Sequence, residues 1–143
     1  MERRRLLRRA AVAVAAVGIG VQLVPLGAWQ FSNPPVVDAA RFPTAEAEEV
    51  ARAACFDCHS HETRYPPYAY VAPASWLLQR DVAEGRDELN FSDFGDSDAD
   101  DAADAVRDGS MPPSRYTLLH PGARLDEAEA TVLVEALERM ARD

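Results

Sequence analysis

The sequence contains no lysine, so all 15 of its basic residues are arginine. It has only three histidines and two cysteines in 143 residues. Two cysteines cannot build a multi-disulfide framework, which excludes a stapled miniprotein. No run alternates apolar and polar residues in the manner of a strand, which points away from β and α/β folds. Positive charge is scarce outside one place. Residues 1–9 hold five of the 15 arginines and one of the 24 acids, so the rest keeps ten against 23, about −13 net. A body so acidic lacks the cationic face that phosphate contacts require, which argues against nucleic acid as a partner. The length suits one domain of ordinary size.

What is present begins with an export pattern. After the basic cytoplasmic end at 1–9 comes an uncharged run, 10–28 (AAVAVAAVGIGVQLVPLGA). As a helix those 19 residues reach about 28 Å, close to a hydrocarbon core of roughly 30 Å. The arginines should stay inside and send the remainder across. The expectation is a signal-anchor or transmembrane helix over 10–29, with Trp29 and Phe31 at the outer interface. The chain would then be single-pass in a bacterial cytoplasmic membrane, its C-terminal domain on the periplasmic side. Cleavage after Ala28 would put Leu26 at −3, too large for signal peptidase, so an uncleaved anchor is the reading and a cleaved signal the alternative. Residues 2–8 (ERRRLLR) loosely resemble the twin-arginine export pattern. That route carries folded cargo, which the attachment chemistry argued below does not suit.

Residues 30–43 read as a proline-rich linker, with Pro34, Pro35 and Pro43 opposing helix. The domain is expected over 44–143. Thr44 can cap a helix running to about Cys58, with Glu46, Glu48 and Glu49 favoured by its dipole. A second helix is expected over 73–84 with Gly85 as a stop, and a third over 97–107 stopped by Gly109. Residues 110–122 hold Pro112, Pro113 and Pro121 and are expected to be a loop. Asp126 and Glu129 form a capping-box pair, and Leu125, Val132, Leu133, Ala136, Leu137 and Met140 give a final amphipathic helix. The fold class is all-α, with long loops and a modest core that a cofactor of haem size would fill.

Cys55-Phe56-Asp57-Cys58-His59 is C-x-x-C-H, the attachment sequence for c-type haem. On a helix Cys55 and His59 share a face with Cys58, so two thiols can add to two vinyl groups while the next imidazole reaches the iron. A thioredoxin-like pair would need a strand context that is missing. Zinc on Cys55, Cys58, His59 and His61 is chemically possible, but zinc ligands come from separated pairs. The expected cofactor is therefore one covalent haem c, with Cys55 and Cys58 as thioethers and His59 as the proximal iron ligand. For the distal side the candidates are Met111 and His120. Met111 stands 52 residues after His59, before two prolines that stiffen the loop into a strap. His120, before Pro121, is the alternative. His61 is too near His59 to reach the opposite face, and Met140 falls at core spacing. Asp96, Asp98 and Asp100 imitate the start of an EF-hand loop, but Asp101 and Arg107 occupy its glycine and glutamate positions. A solvated helix start is the better reading there.

These stretches together resemble the small bacterial haem-binding-domain family, single-haem c-type cytochromes with an N-terminal membrane segment. The likeness is carried by 55–60 (CFDCHS), Thr63 and 66–68. It continues through Gly85-Arg86, 89–92 (LNFS), 111–116 (MPPSRY) and 119–123 (LHPGA). The Asp-rich stretch after Phe94 departs from it. The resemblance implies a cytochrome c-like helical fold with His59 proximal, and places Arg86 and Tyr116 as possible haem propionate contacts. The expected function is single-electron transfer outside the cytoplasmic membrane by a carrier, not an enzyme, whose redox partner presents a basic docking surface. A haem sensor or peroxidase-like enzyme with an open distal site, and a structural haem module of a larger membrane complex, are the alternatives.

Overall fold

A computed structural model describes residues 2–22, 31–95 and 97–142. Every regular element among them is helical, and the one strand-like feature is an isolated bridge between Asp38 and Asp93. The chain divides into two compact units.

The first unit takes the N-terminal residues through Ser32 together with 66–79. Its helix α1 spans Glu2–Gln22 and buries no residue. The Gln22 amide donates to the Ala72 carbonyl and accepts from its N–H, at 3.2 and 3.0 Å. No described helix is long and apolar enough to cross a membrane. The apolar run continues to Ala28, and its end at 23–28, with the interface residue expected at Trp29, lies outside the described residues.

The second unit takes 33–65 and 80 onward. Helix α2 (Ala45–Ala54) starts where Thr44 Oγ1 accepts from the Ala47 N–H at 3.1 Å, and it buries Ala47, Ala51 and Ala54 on one face. The expected continuous helix to Cys58 breaks at Cys55, and a single turn, α3 (Phe56–His59), follows. Helix α4 (Ala74–Glu88) continues through Gly85 instead of stopping there. A Cβ at Gly85 would lie 2.9 Å from the Cys58 carbonyl oxygen, so the missing side chain serves close approach, not termination. Helix α5 (Ala99–Arg107) is capped by Asp98, and Gly109 follows its end at φ +76°. Residues 110–122 are not all loop. Pro112 and Pro113 sit just ahead of a short helix, α6 (Ser114–Leu119), where no N–H is required, and Pro121 opens a further turn.

Helix α7 (Glu127–Met140) carries the expected capping box, with Asp126 and Glu129 exchanging two bonds of 2.9 Å. Leu133, Ala136, Leu137 and Met140 are buried along it, and α5 packs on it. The proline-rich segment is docked, not a free linker. Val37 donates to the Ser92 carbonyl at 2.9 Å, Ala40 to that of Phe91 at 2.8 Å, and Phe42 stands 5.2 Å from the Phe91 ring. Phe91 in turn stacks on Phe56 at 5.1 Å, so the aromatic core lies directly beneath α3.

Candidate functional site

Cys55, where the helix breaks, and His59, the last residue of α3, stand on the wall of a cavity of about 220 Å³. Cys55 and His59 from the C-x-x-C-H segment, Leu89 and Phe91 after α4, Ala102 and Val106 from α5, and Leu137 from α7 line it. Met111 completes the wall from the loop after α5. Two sequence-expected iron ligands, His59 and Met111, thus face one apolar space beside the first cysteine.

His59 is held by its backbone-facing nitrogen. Nδ1 lies 2.7 Å from the Gly85 carbonyl and 3.1 Å from the Leu89 carbonyl. Carbonyls only accept, so Nδ1 carries the hydrogen and Nε2 keeps its lone pair. Burial lowers the His59 pKa below its ordinary value, opposed by those two carbonyl bonds, so the ring is neutral at pH 7. Such a carbonyl partner is the support that a metal-binding imidazole takes. Gly85 supplies both the carbonyl and the room for α4 to approach Cys58, whose carbonyl lies where a side chain would stand. Composition and spacing presented Gly85 as a helix stop; only its place beside Arg86 in the family-like stretch signalled more.

Both thiols are free. Burial pushes the Cys55 thiol up to about 12 and the Cys58 thiol up to about 11, so both are protonated at neutral pH. Between them, Asp57 turns outward from the core. Its carboxylate accepts from the Tyr116 hydroxyl at 2.8 Å, from the Arg64 backbone N–H at 3.0 Å and from Arg64 Nε at 3.2 Å. Asp57 was not among the sequence-expected site residues, because the motif leaves that position unspecified.

The remaining histidines stand elsewhere. His61 presents Nδ1 to the Pro35 carbonyl and Nε2 to the Asn90 amide, both at 2.9 Å, so both its nitrogens are engaged. His120 is stacked on Tyr116 at 4.3 Å and is not among the residues lining the cavity. Arg86 donates to the Ser60 carbonyl at 2.8 Å, to Thr63 Oγ1 at 2.9 Å and to Asn33 Oδ1 at 3.1 Å, lacing together the chain just after the motif. Neither Arg86 nor Tyr116 lines the cavity. Met140 is buried in the core, as its spacing suggested.

The Met111 strap has its own anchors. Gly109 adopts a left-handed turn, and the Met111 N–H donates to the Ala105 carbonyl at 3.0 Å. Ser110 donates from its N–H to Asp108 at 2.8 Å and from its hydroxyl to Ala105 at 3.1 Å. Met111 remains 39% exposed.

Among the described residues no group of three or more His, Cys, Asp and Glu side chains could hold a metal ion, which disfavours the zinc alternative. The Cys55 thiol, an imidazole lone pair and a thioether stand around an apolar space, and the Cys58 thiol, one residue before His59, lies outside its lining; this donor set suits an iron macrocycle bearing vinyl groups. The cavity is smaller than sites that enclose whole ligands, so such a group would extend beyond it. A family model described as a haem-binding domain matches residues 16–139. No curated protein and no solved structure matches the chain.

Proposed function

The chain belongs to the haem-binding-domain family, and from that membership we propose that it carries one covalent haem c and passes single electrons outside a bacterial cytoplasmic membrane. The observation that carries this reading is His59, its Nδ1 hydrogen fixed by two carbonyls, on the same cavity wall as Cys55 and Met111. Cys55 and Cys58 would hold the group through two thioethers, and His59 Nε2 and the Met111 sulfur would ligate its iron. Bound haem supplies a one-electron iron couple. The protein's part is to keep His59 neutral and oriented, to present an apolar wall through Leu89, Phe91, Val106 and Leu137, and to keep the sulfur within reach. Methionine opposite histidine raises the potential of such a couple.

The N-terminal segment would tether the domain. Val12, Val14, Val17 and Ile19 of α1 are each about two-thirds exposed or more, and an uncovered apolar helix behind an arginine cluster suits lipid. The acidic body then favours a redox partner with a basic docking surface.

A second reading draws on the exposure of Met111. A sulfur so placed could yield to an exogenous ligand, which would make the site a sensor or a peroxidase-like enzyme.

The test is a denaturing gel, stained for haem, of membrane and soluble fractions from cells with haem-ligation machinery. A full-length stained band in the membrane fraction is expected, and replacing Cys55 and Cys58 together with Ala should abolish the stain. An unstained wild type contradicts covalent attachment. A stained soluble product beginning near residue 29 contradicts the permanent tether.

A further inference from the structure

The strap that brings Met111 to the cavity is fastened at both ends, and the fastenings differ in kind. On the α5 side the Met111 N–H and the Ser110 hydroxyl both bond the Ala105 carbonyl. Pro112 and Pro113 then carry the chain stiffly into α6. On that far side two side chains of α6 reach the elements that hold the cysteines and His59. Arg115 pairs with Asp81 of α4 at 3.0 Å, and the Tyr116 hydroxyl donates to Asp57 of α3 at 2.8 Å.

These two contacts are unequal. The Arg115 side chain is 59% exposed, and an exposed ion pair holds little. The Asp57 side chain is 15% exposed, and a hydroxyl bonded to a partly buried carboxylate is a charge-assisted bond. Asp57 is itself oriented by the Arg64 backbone N–H and guanidinium, so the acceptor is fixed before Tyr116 arrives. The Met111 backbone is bonded to Ala105, but its side chain is 39% exposed and that backbone bond does not fix the sulfur.

We propose that Tyr116, through Asp57, is the positioning residue that keeps the Met111 sulfur at the cavity. The inference rests on the reading of Met111 as distal ligand. It makes the residue between the two cysteines the seat of a latch, and it gives the Ser-Arg-Tyr that follows Met-Pro-Pro a mechanical role. One hydrogen bond outside the cavity lining then shifts the balance between a closed electron carrier and an open ligand-binding site.

The experiment compares holoproteins of the wild type, Tyr116→Phe, Asp57→Asn and Asp126→Ala. Each is followed by the near-infrared sulfur-to-iron band of the oxidised form and by titration with cyanide. Tyr116→Phe keeps the ring that stacks on His120 and removes only the donor. It should retain its haem, weaken the band and bind cyanide about tenfold more tightly, the effect of one lost charge-assisted bond. Asp57→Asn should move in the same direction. Asp126→Ala removes the cap of α7 and destabilises the domain without touching α6, and should bind cyanide as the wild type does. Unchanged cyanide binding in Tyr116→Phe overturns the latch, as does an equal opening in Asp126→Ala. A wild type with no sulfur band overturns the ligand assignment itself, an outcome distinct from a wild type with the band and an indifferent Tyr116→Phe.

Discussion

His59 and Gly85 are coupled at the smallest scale. The imidazole is set by two carbonyls, and the nearer one belongs to a glycine whose lack of a side chain lets α4 lie against Cys58. Gly85→Ala would place a carbon 2.9 Å from a backbone oxygen, so the helix must shift and carry the carbonyl with it. A loss of about 1–3 kcal/mol in stability is expected, the range for overpacking, against the slight gain that Ala gives in an unconstrained helix. Thermal or denaturant unfolding of the holoprotein checks it, and a variant as stable as the wild type would contradict the close approach. Cys55 and His59, which the structure places on the cavity wall, could be picked out because the motif that carries them lies within five consecutive residues. Gly85 and Asp57 could not, because what they do depends on atoms brought up from distant parts of the chain. Met140 could be set aside from spacing alone, since a helical stripe with Leu133 and Leu137 already accounted for it.

Among the helices, the ends were read better than the interruptions. Thr44 and the Asp126–Glu129 pair cap the elements they precede, because capping is a local competition for the first free N–H groups; Asp98, expected inside the helix over 97–107, is its cap instead. The break at Cys55 and the run through Gly85 escaped, because the tertiary contact of α4 with α3 outweighs propensity there. The prolines of 110–122 obscured α6, a helix they introduce instead of prevent. The latch on that helix has a pH consequence. Burial first, and then the bond to the Asp57 carboxylate, hold the Tyr116 proton well above the ordinary phenol value; the Asp57 charge acts in the same sense and Arg64 opposes it. His120, stacked on the ring, is the other titratable group facing it. A group whose pKa is raised by folding contributes stability that is full below its unfolded value, about 10 for tyrosine, and is lost progressively as pH rises from there through the raised folded value. The strap should therefore keep its full hold to about pH 10 and loosen progressively above it. An alkaline titration of the sulfur band, compared with Tyr116→Phe, measures this. A wild-type transition well below pH 9 that Tyr116→Phe leaves unmoved would contradict it.

At the scale of the whole molecule, one chain combines an arginine-led apolar helix, an acidic helical body and an apolar cavity with sulfur and imidazole on its wall. The all-α class was legible from the want of any strand pattern. The docking of 33–43 was not, since proline content alone cannot distinguish an extended segment that packs from one that does not. Phe42 and Ala40 pack it against the core, and the Pro35 carbonyl meets His61. On the cavity wall the proposed reading has His59 and Met111 hold one haem iron between them. The most direct measurement is the visible and near-infrared absorption spectrum of the purified oxidised protein, recorded for the wild type, Met111→Ala and His120→Ala. The account predicts a six-coordinate low-spin wild type with a weak near-infrared sulfur band, lost in Met111→Ala together with newly gained carbon monoxide binding in the reduced form, and kept in His120→Ala. A wild type that is five-coordinate, or a band that survives Met111→Ala, would contradict it.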